Sequence, residues 1–293
     1  MKKILITGGA GQLALALLKH PEAKSFALTH LNHSECDISD EPALTHCLNQ
    51  HAPEVIINTA AYTAVDLAES EPEKADAANH LGARHLAAYC KTKNIRLLHI
   101  STDYVFDGEA NTAYKEDAPI HPVNYYGQSK AAGEQAIRET LDNHLILRVS
   151  GVFSEHGKNF LKTMLTLAKT REYLSVVTDQ TTCPTDAHAI ADALYQIIKQ
   201  EKHRGTYHFC SEPPITWHHF AACIFGSAIA DYNAEFKLHT FKRITTKDYP
   251  TAAKRPAYAV LDCEKIQRDF GITQPHWQAG IDRVLTQLMK EST

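Results

Sequence analysis

Short apolar runs alternate with amphipathic stretches through the first half of the chain, and this rhythm is the most regular feature of the sequence. Lys3 to Thr7, Ser25 to Thr29, Val55 to Asn58, Arg96 to Ser101 and His144 to Arg148 read as strands. Most of them are short, aliphatic and bounded by polar residues or glycine. Between them, Gln12 to Leu18, Glu41 to Gln50, Glu73 to Thr92 and Tyr126 to Leu141 space their apolar residues along one helical face. Such a series predicts an α/β fold, a doubly wound parallel sheet of Rossmann-like form whose ligands sit beyond the carboxyl ends of the strands. Thr7, Asn58 and Ser101 fall at those ends.

Beyond residue 150 the pattern is less regular. Helices are expected at Phe160 to Lys169, His188 to Gln200, Trp217 to Phe225 and Trp277 to Lys290, with strands at Ser175 to Val177 and Thr206 to Phe209. Prolines at 213, 214, 250 and 256 mark irregular connections. The expected organisation is a dinucleotide-binding domain over residues 1–150 and a smaller, mixed α/β substrate-binding domain over 151–293, segments of which can cross back to the first. A site is expected where the two meet.

Composition narrows the partners. The chain has 293 residues, 44% of them apolar, enough for one large core or two joined ones. A formal charge of -4, with the signs mixed along the chain, offers no basic stripe, so neither nucleic acid nor membrane is expected as a partner. No apolar run approaches the roughly 18 residues of a membrane helix, and the amino end enters strand-like sequence without a signal-peptide pattern. The expectation is a soluble, cytoplasmic protein. Seven scattered cysteines without a C-x-x-C pair read as reduced, mostly buried thiols, and 18 histidines without metal-ligand spacing predict no metal site.

Three segments carry the chemistry. Ile4 to Thr7 runs into Gly8-Gly9-Ala10-Gly11-Gln12-Leu13-Ala14, a strand, a glycine-rich turn and a helix. Gly8 and Gly11 let the backbone approach a pyrophosphate, which the helix amino terminus attracts. At the end of the second expected strand, Ala27-Leu28-Thr29-His30 contains neither a carboxylate to repel a 2'-phosphate nor an arginine to bind one. NADPH is therefore the expected cofactor, with NADH also accepted. Asp37-Ile38 stands slightly later, and Asp37 reads equally as an adenine-side residue or as the cap of the next helix. Ala60, Ala61, Tyr62 and Thr63, after the third strand, begin with small residues over which a dinucleotide can lie close.

Ser101-Thr102-Asp103 follows an apolar run at another carboxyl end, where a hydroxyl can bond a substrate carbonyl oxygen. Tyr126 and Lys130 are four residues apart, on one face of an expected helix. A cation held there would lower the phenol's proton affinity and make it a usable acid near neutral pH. Taken in order, the glycine-rich turn, Thr102, and Tyr126 with Lys130 predict hydride-transfer machinery, in which Lys130 also holds the nicotinamide ribose.

These residues resemble the extended short-chain dehydrogenase/reductase family. Asn58 to Asp66 with Ala68 to Pro72, Ser101 to Phe106, Asp179-Gln180 with Pro184-Thr185, Thr216-Trp217, and Tyr249-Pro250-Thr251 with Arg255-Pro256 narrow the resemblance to its dTDP-4-dehydrorhamnose reductase branch. It spans essentially the whole chain. The resemblance implies reduction of the 4-keto group of a nucleotide-activated 6-deoxy sugar, for cell-surface glycans. It gives Thr102 the role of carbonyl polariser, Tyr126 that of proton donor, and Lys130 that of ribose ligand. It places Gly11, Gln12, Leu13, Asp37, Ile38, Ala61, Tyr62 and Thr63 along the dinucleotide, and Thr102 and Asp103 at the sugar.

Departures from the family pattern stand at Gly151, where a tryptophan over the sugar ring is common, and at Ala259, where serine is usual. Ala16 replaces a carboxylate that holds magnesium at a dimer interface in some members, so no metal is implied and a homodimer stays open. Asp103-Tyr104 lacks the Asp-Glu pair of the superfamily's dehydratases. An epimerase with retained NAD, and a non-catalytic subunit like that of methionine adenosyltransferase, remain as alternatives.

Overall fold

The computed structural model describes residues 1–290, so the last three residues of the 151–293 span lie outside it. Its main sheet has six strands: β1 (Lys3–Thr7), β2 (Ala27–Leu31), β3 (Val55–Asn58), β4 (Arg96–Thr102), β5 (His144–Val149) and β6 (Gly205–His208). Their order is β6-β5-β4-β3-β1-β2, and every pairing is parallel. The central strands are buried almost end to end, as a sheet covered by helices on both faces requires.

The larger helices are α1 (Gln12–Lys19), α2 (Glu41–His51), α3 (Gly82–Lys93), α4 (Tyr125–Thr140), α5 (Phe160–Thr170), α6 (Ala187–Lys199), α7 (Trp217–Tyr232) and α8 (Trp277–Lys290). Alternation along β1 divides the core. Ile4 and Ile6 point to one face and join Leu13, Leu17, Ile190 and Leu194 of α1 and α6, whereas Leu5 points to the other and joins Leu44, Leu86 and Ile137 of α2, α3 and α4. Each such aliphatic side chain stabilises the fold by roughly 1.5–3 kcal/mol on burial. A separate core, with Phe153, Leu161, Phe220, Trp277 and Ile281 at its heart, joins α5, α7 and α8.

Two expectations are corrected here, and one segment expected to be able to cross back is found to do so. The second strand lies at Ala27–Leu31 rather than Ser25–Thr29, because Pro21–Ser25 forms a 3-10 turn capped by the His20 ring, and pairing with β1 sets the register from Lys3↔Ala27 to Thr7↔Leu31. The helix expected over Glu73 to Thr92 is broken by a π-helical turn at Ala77–Leu81. That turn directs Asn79 to Tyr62, whose backbone N–H it accepts at 2.8 Å and whose carbonyl it bonds at 3.0 Å. The strand expected at Thr206 to Phe209 joins the main sheet as β6, pairing Gly205↔Leu145 through His208↔Arg148. Periodicity cannot report which sheet a short strand will join.

Candidate active site

The strand order reverses between β1 and β3, and the glycine-rich turn lies at that crevice. Gly8 adopts φ +68°, and a Cβ there would stand 2.7 Å from the backbone N and Cα of Ala60. Only glycine fits so close to the loop after β3. Gly11 begins α1 with no side-chain cap, leaving the first-turn N–H groups available to an anion. These features fit a dinucleotide's pyrophosphate.

From the turn opens a cavity of about 710 Å³. Gly8, Gly11, Gln12 and Leu13 line one side, with Ala60, Ala61 and Thr63 beside them, and Thr102, Asp103, Tyr126, Lys130 and Gly151 line the rest. Asp37, Ile38 and Tyr62 line an adjoining hollow of about 450 Å³ that shares Gly8, Ala60 and Ala61 with the first. Every catalytic, cofactor-binding and substrate-binding candidate from the sequence therefore borders one of these two adjoining cavities, whereas Ala16 and Ala259 border neither. Asp37 does not cap the following helix; Asp40 does, accepting from Ala43 N at 3.0 Å, while Asp37 accepts from the Ser39 N–H and hydroxyl at 2.9 and 2.7 Å. The corrected end of β2 brings His33 to the site, where it borders both cavities. Beside the strand tip, Glu35 Oε2 accepts from the Asn32 backbone N–H at 2.8 Å, and Asp37 lies 3.6 Å from the His33 ring.

Thr102 closes β4. Its hydroxyl donates to Asp103 Oδ1 at 2.9 Å and accepts from Tyr104 N at 3.2 Å, and the Ser150 hydroxyl donates to Asp103 Oδ2 at 2.6 Å. Burial raises Asp103 to about 6, against the pull of those two hydroxyls. Tyr126 and Lys130 sit in the first turns of α4, whose start is fixed by Asn124 accepting from Gly127 N at 2.8 Å. Farther along, Glu134 takes two bonds from Arg148 of β5, at 2.9 and 2.7 Å, with both side chains buried. Asn79 reaches Ser129 Oγ at 3.0 Å from the π turn. The helix carrying the phenol is thus tied to the sheet and to the loop after β3.

One electrostatic expectation is overturned. Burial pushes the Tyr126 phenol up to about 12; the Thr102 hydroxyl acts in the opposite direction and the Asp103 charge adds to the rise. Lys130 Nζ is directed elsewhere, donating to the Ile100 carbonyl at 2.7 Å and lying 3.3 Å from His99 Nε2. Burial lowers Lys130 itself to about 8, with Glu134 opposing. A helical i,i+4 spacing sets a shared face, not the direction of a long flexible side chain.

The opposite wall holds what sequence reasoning missed. Gly151 adopts φ +54°, and a Cβ there would lie 3.0 Å from Pro184 Cα and 3.4 Å from Trp217 Cη2. The wall is therefore not stripped of aromatic surface, as Gly151 alone suggested; the Trp217 indole borders the cavity, with its ring centroid 4.5 Å from that of Phe160. Lys158 also borders the cavity and adds a cation to a lining that includes the glycine-rich turn. Thr216-Trp217 stood out in the sequence, but the residue's placement depends on folding of the distant α7.

The RmlD substrate binding domain family model matches residues 1–290. The chain belongs to this family. The dTDP-4-dehydrorhamnose reductase of Aggregatibacter actinomycetemcomitans is 42% identical, the match covering 97% of this chain and 98% of that protein. That of Escherichia coli K12 is 36% identical, covering 97% of each. Among solved structures, the Bacillus anthracis dTDP-4-dehydrorhamnose reductase in complex with NADP aligns at a TM-score of 0.91 and 33% identity, covering 98% of this chain and 100% of that one. A UDP-glucose 4-epimerase of Thermus thermophilus in complex with NAD aligns at 0.82 and 17% identity, a likeness of fold alone.

Proposed function

We propose that this RmlD-family chain is an NADPH-dependent oxidoreductase that reduces the 4-keto group of dTDP-4-dehydro-L-rhamnose to give dTDP-L-rhamnose. The observation that carries this reading is the convergence of Thr102, Tyr126 and Lys130 with the glycine-rich turn on one cavity. Relatives bearing the reductase name along their whole length, and the NADP complex of one of them, support the activity and the cofactor. NADH is accepted as well, since neither Asn32 nor His33, which follow β2, is an arginine that would select for a 2'-phosphate.

The cradle under Gly8 and the uncapped start of α1 hold the pyrophosphate, Asp37, Ile38 and Tyr62 border the adenosine end, and Lys130 binds the nicotinamide ribose. When bound, the cofactor supplies a hydride to the sugar's C4. Tyr126 Oη delivers the proton that the carbonyl oxygen needs, and Thr102 Oγ1 hydrogen-bonds that oxygen as charge develops on it. Burial keeps the phenol in its protonated form, the form that donates, but makes it a weaker acid than an exposed tyrosine. Asp103 and the wall containing Gly151 receive the sugar, and Gly151, Lys158, Phe160, Thr182 and Trp217 contribute most of that wall.

The test is to incubate the protein with dTDP-4-keto-6-deoxy-L-mannose and NADPH, follow the loss of reduced nicotinamide absorbance and identify the sugar. One dTDP-L-rhamnose per NADPH oxidised is expected. A sugar interconverted with no net oxidation points to an epimerase, and no reaction together with tight capture of a synthetase points to a regulatory subunit.

A further inference from the structure

Behind the cavity, Thr7, Asn58, His99 and Lys130 form a buried chain of polar groups across β1, β3, β4 and α4. Thr7 Oγ1 donates to Asn58 Oδ1 at 2.6 Å, and the Ala60 backbone N–H donates to the same oxygen at 3.1 Å. A backbone N–H can only donate, so the amide is oriented with its oxygen toward Ala60. Its Nδ2 therefore faces His99 Nδ1, at 2.9 Å. An amide NH₂ can only donate as well, so Nδ1 is the acceptor and carries no proton. Burial, then the neighbouring Lys130 and His144, hold His99 well below the usual histidine range, so the ring is neutral and its one proton is on Nε2.

That proton points at Lys130 Nζ, 3.3 Å away. An ammonium has only donors, so the contact sets donor against donor whenever Lys130 is charged. It is a complete hydrogen bond only when Lys130 offers a lone pair. Burial is the larger influence on Lys130, and the charge of Glu134 opposes it. Glu134, on its own helix, is bonded to Arg148 of β5 and Arg138, and Asp103 is shared by two hydroxyls. The remaining polar contact of Nζ is the neutral Ile100 carbonyl.

We propose that His99 is a positioning residue for Lys130: its Nε2–H, fixed by the Thr7-Asn58 pair, holds the neutral amine and lowers the lysine's proton affinity. Lys130 then gains or loses a proton close to neutral pH instead of remaining a permanent ammonium. The consequence for catalysis rests on the reductase reading above; the pairing itself does not. An anionic dinucleotide beside Lys130 favours the charged form, so cofactor binding is coupled to proton uptake by this lysine.

The test reads the ring and the amine directly, by nitrogen NMR of the cofactor-free protein labelled with ¹⁵N at histidine and lysine side chains. His99 is expected as the Nε2–H tautomer at every pH at which the protein is folded, and Lys130 is expected to titrate with a midpoint near 8. Asn58→Asp supplies an acceptor in place of the amide NH₂, moves the ring proton to Nδ1 and frees Nε2 to accept from the ammonium. The Lys130 midpoint should then rise by about one pH unit or more, at least a tenfold gain in proton affinity. A wild-type ring protonated on Nδ1, or a Lys130 midpoint in the ordinary lysine range, overturns the proposal whether or not the variant folds. If both nitrogen results hold and no ketone is reduced, the pairing stands and the reductase reading fails.

Discussion

The two sides of the cavity are built differently. On the sheet side, the groups proposed to do chemistry sit on elements fastened by the fold itself. Gly8 touches Ala60 because β1 and β3 are adjacent, Thr102 ends β4, and the helix bearing Tyr126 and Lys130 is fastened to β5 by Glu134 and Arg148. On the far side, the wall is assembled from Gly151, Lys158, Phe160, Thr182 and Trp217, drawn from loops, helices and a two-residue strand, with Phe160 and Trp217 in aromatic contact and Thr182 bonded to Ser150. The sheet side is rigid because its parts share hydrogen bonds and strand pairings. The far side is joined by side-chain packing and two-residue strand pairings, and in the proposed function it is the side that meets the sugar.

This contrast can be broken most forcefully at Glu134. Glu134→Ala leaves the guanidinium of Arg148, only 1% exposed, without its carboxylate. A cost of about 3–5 kcal/mol is expected, as for other buried pairs that lose one partner. Urea unfolding measures it, and NADPH affinity should fall in parallel because α4 loses its tie to the sheet. A loss under about 1 kcal/mol would mean that the sheet side is not fastened as described.

Trp217→Ala sharpens the contrast from the other side. Removing the indole should raise KM for the nucleotide sugar about five- to tenfold, on the order of 1 kcal/mol, and leave NADPH affinity unchanged. Steady-state kinetics with each substrate varied separates the two. A matching loss of NADPH affinity would show that the wall and the sheet side are one unit.

The same division explains what could be read from the sequence. The sheet side is local: strand, turn and helix follow one another, so Gly8, Gly11, Thr102, Tyr126 and Lys130 could be picked out from order and spacing alone. The errors there were small and had physical causes, such as the 3-10 turn after Pro21 that moved β2 and the buried carbonyl that drew Lys130 away from the phenol. His99 looked like an ordinary strand residue and Asn58 stood out only for its place at a carboxyl end; the register Asn58↔His99 brings them together. The far wall was barely legible. Gly151 signalled a missing aromatic, but nothing along the chain could announce that Trp217 would lie beside it.

The most direct measurement concerns the phenol. Tyr126→Phe removes one hydroxyl from a helix whose capping, packing and ion pair are otherwise untouched. NADPH affinity, read by fluorescence titration, should stay within about twofold, while turnover of the 4-keto sugar falls at least about a hundredfold, as loss of a general acid entails. Turnover near the wild-type value would contradict the placement of the reaction at Tyr126 and, with it, the use proposed for the whole sheet side of the cavity.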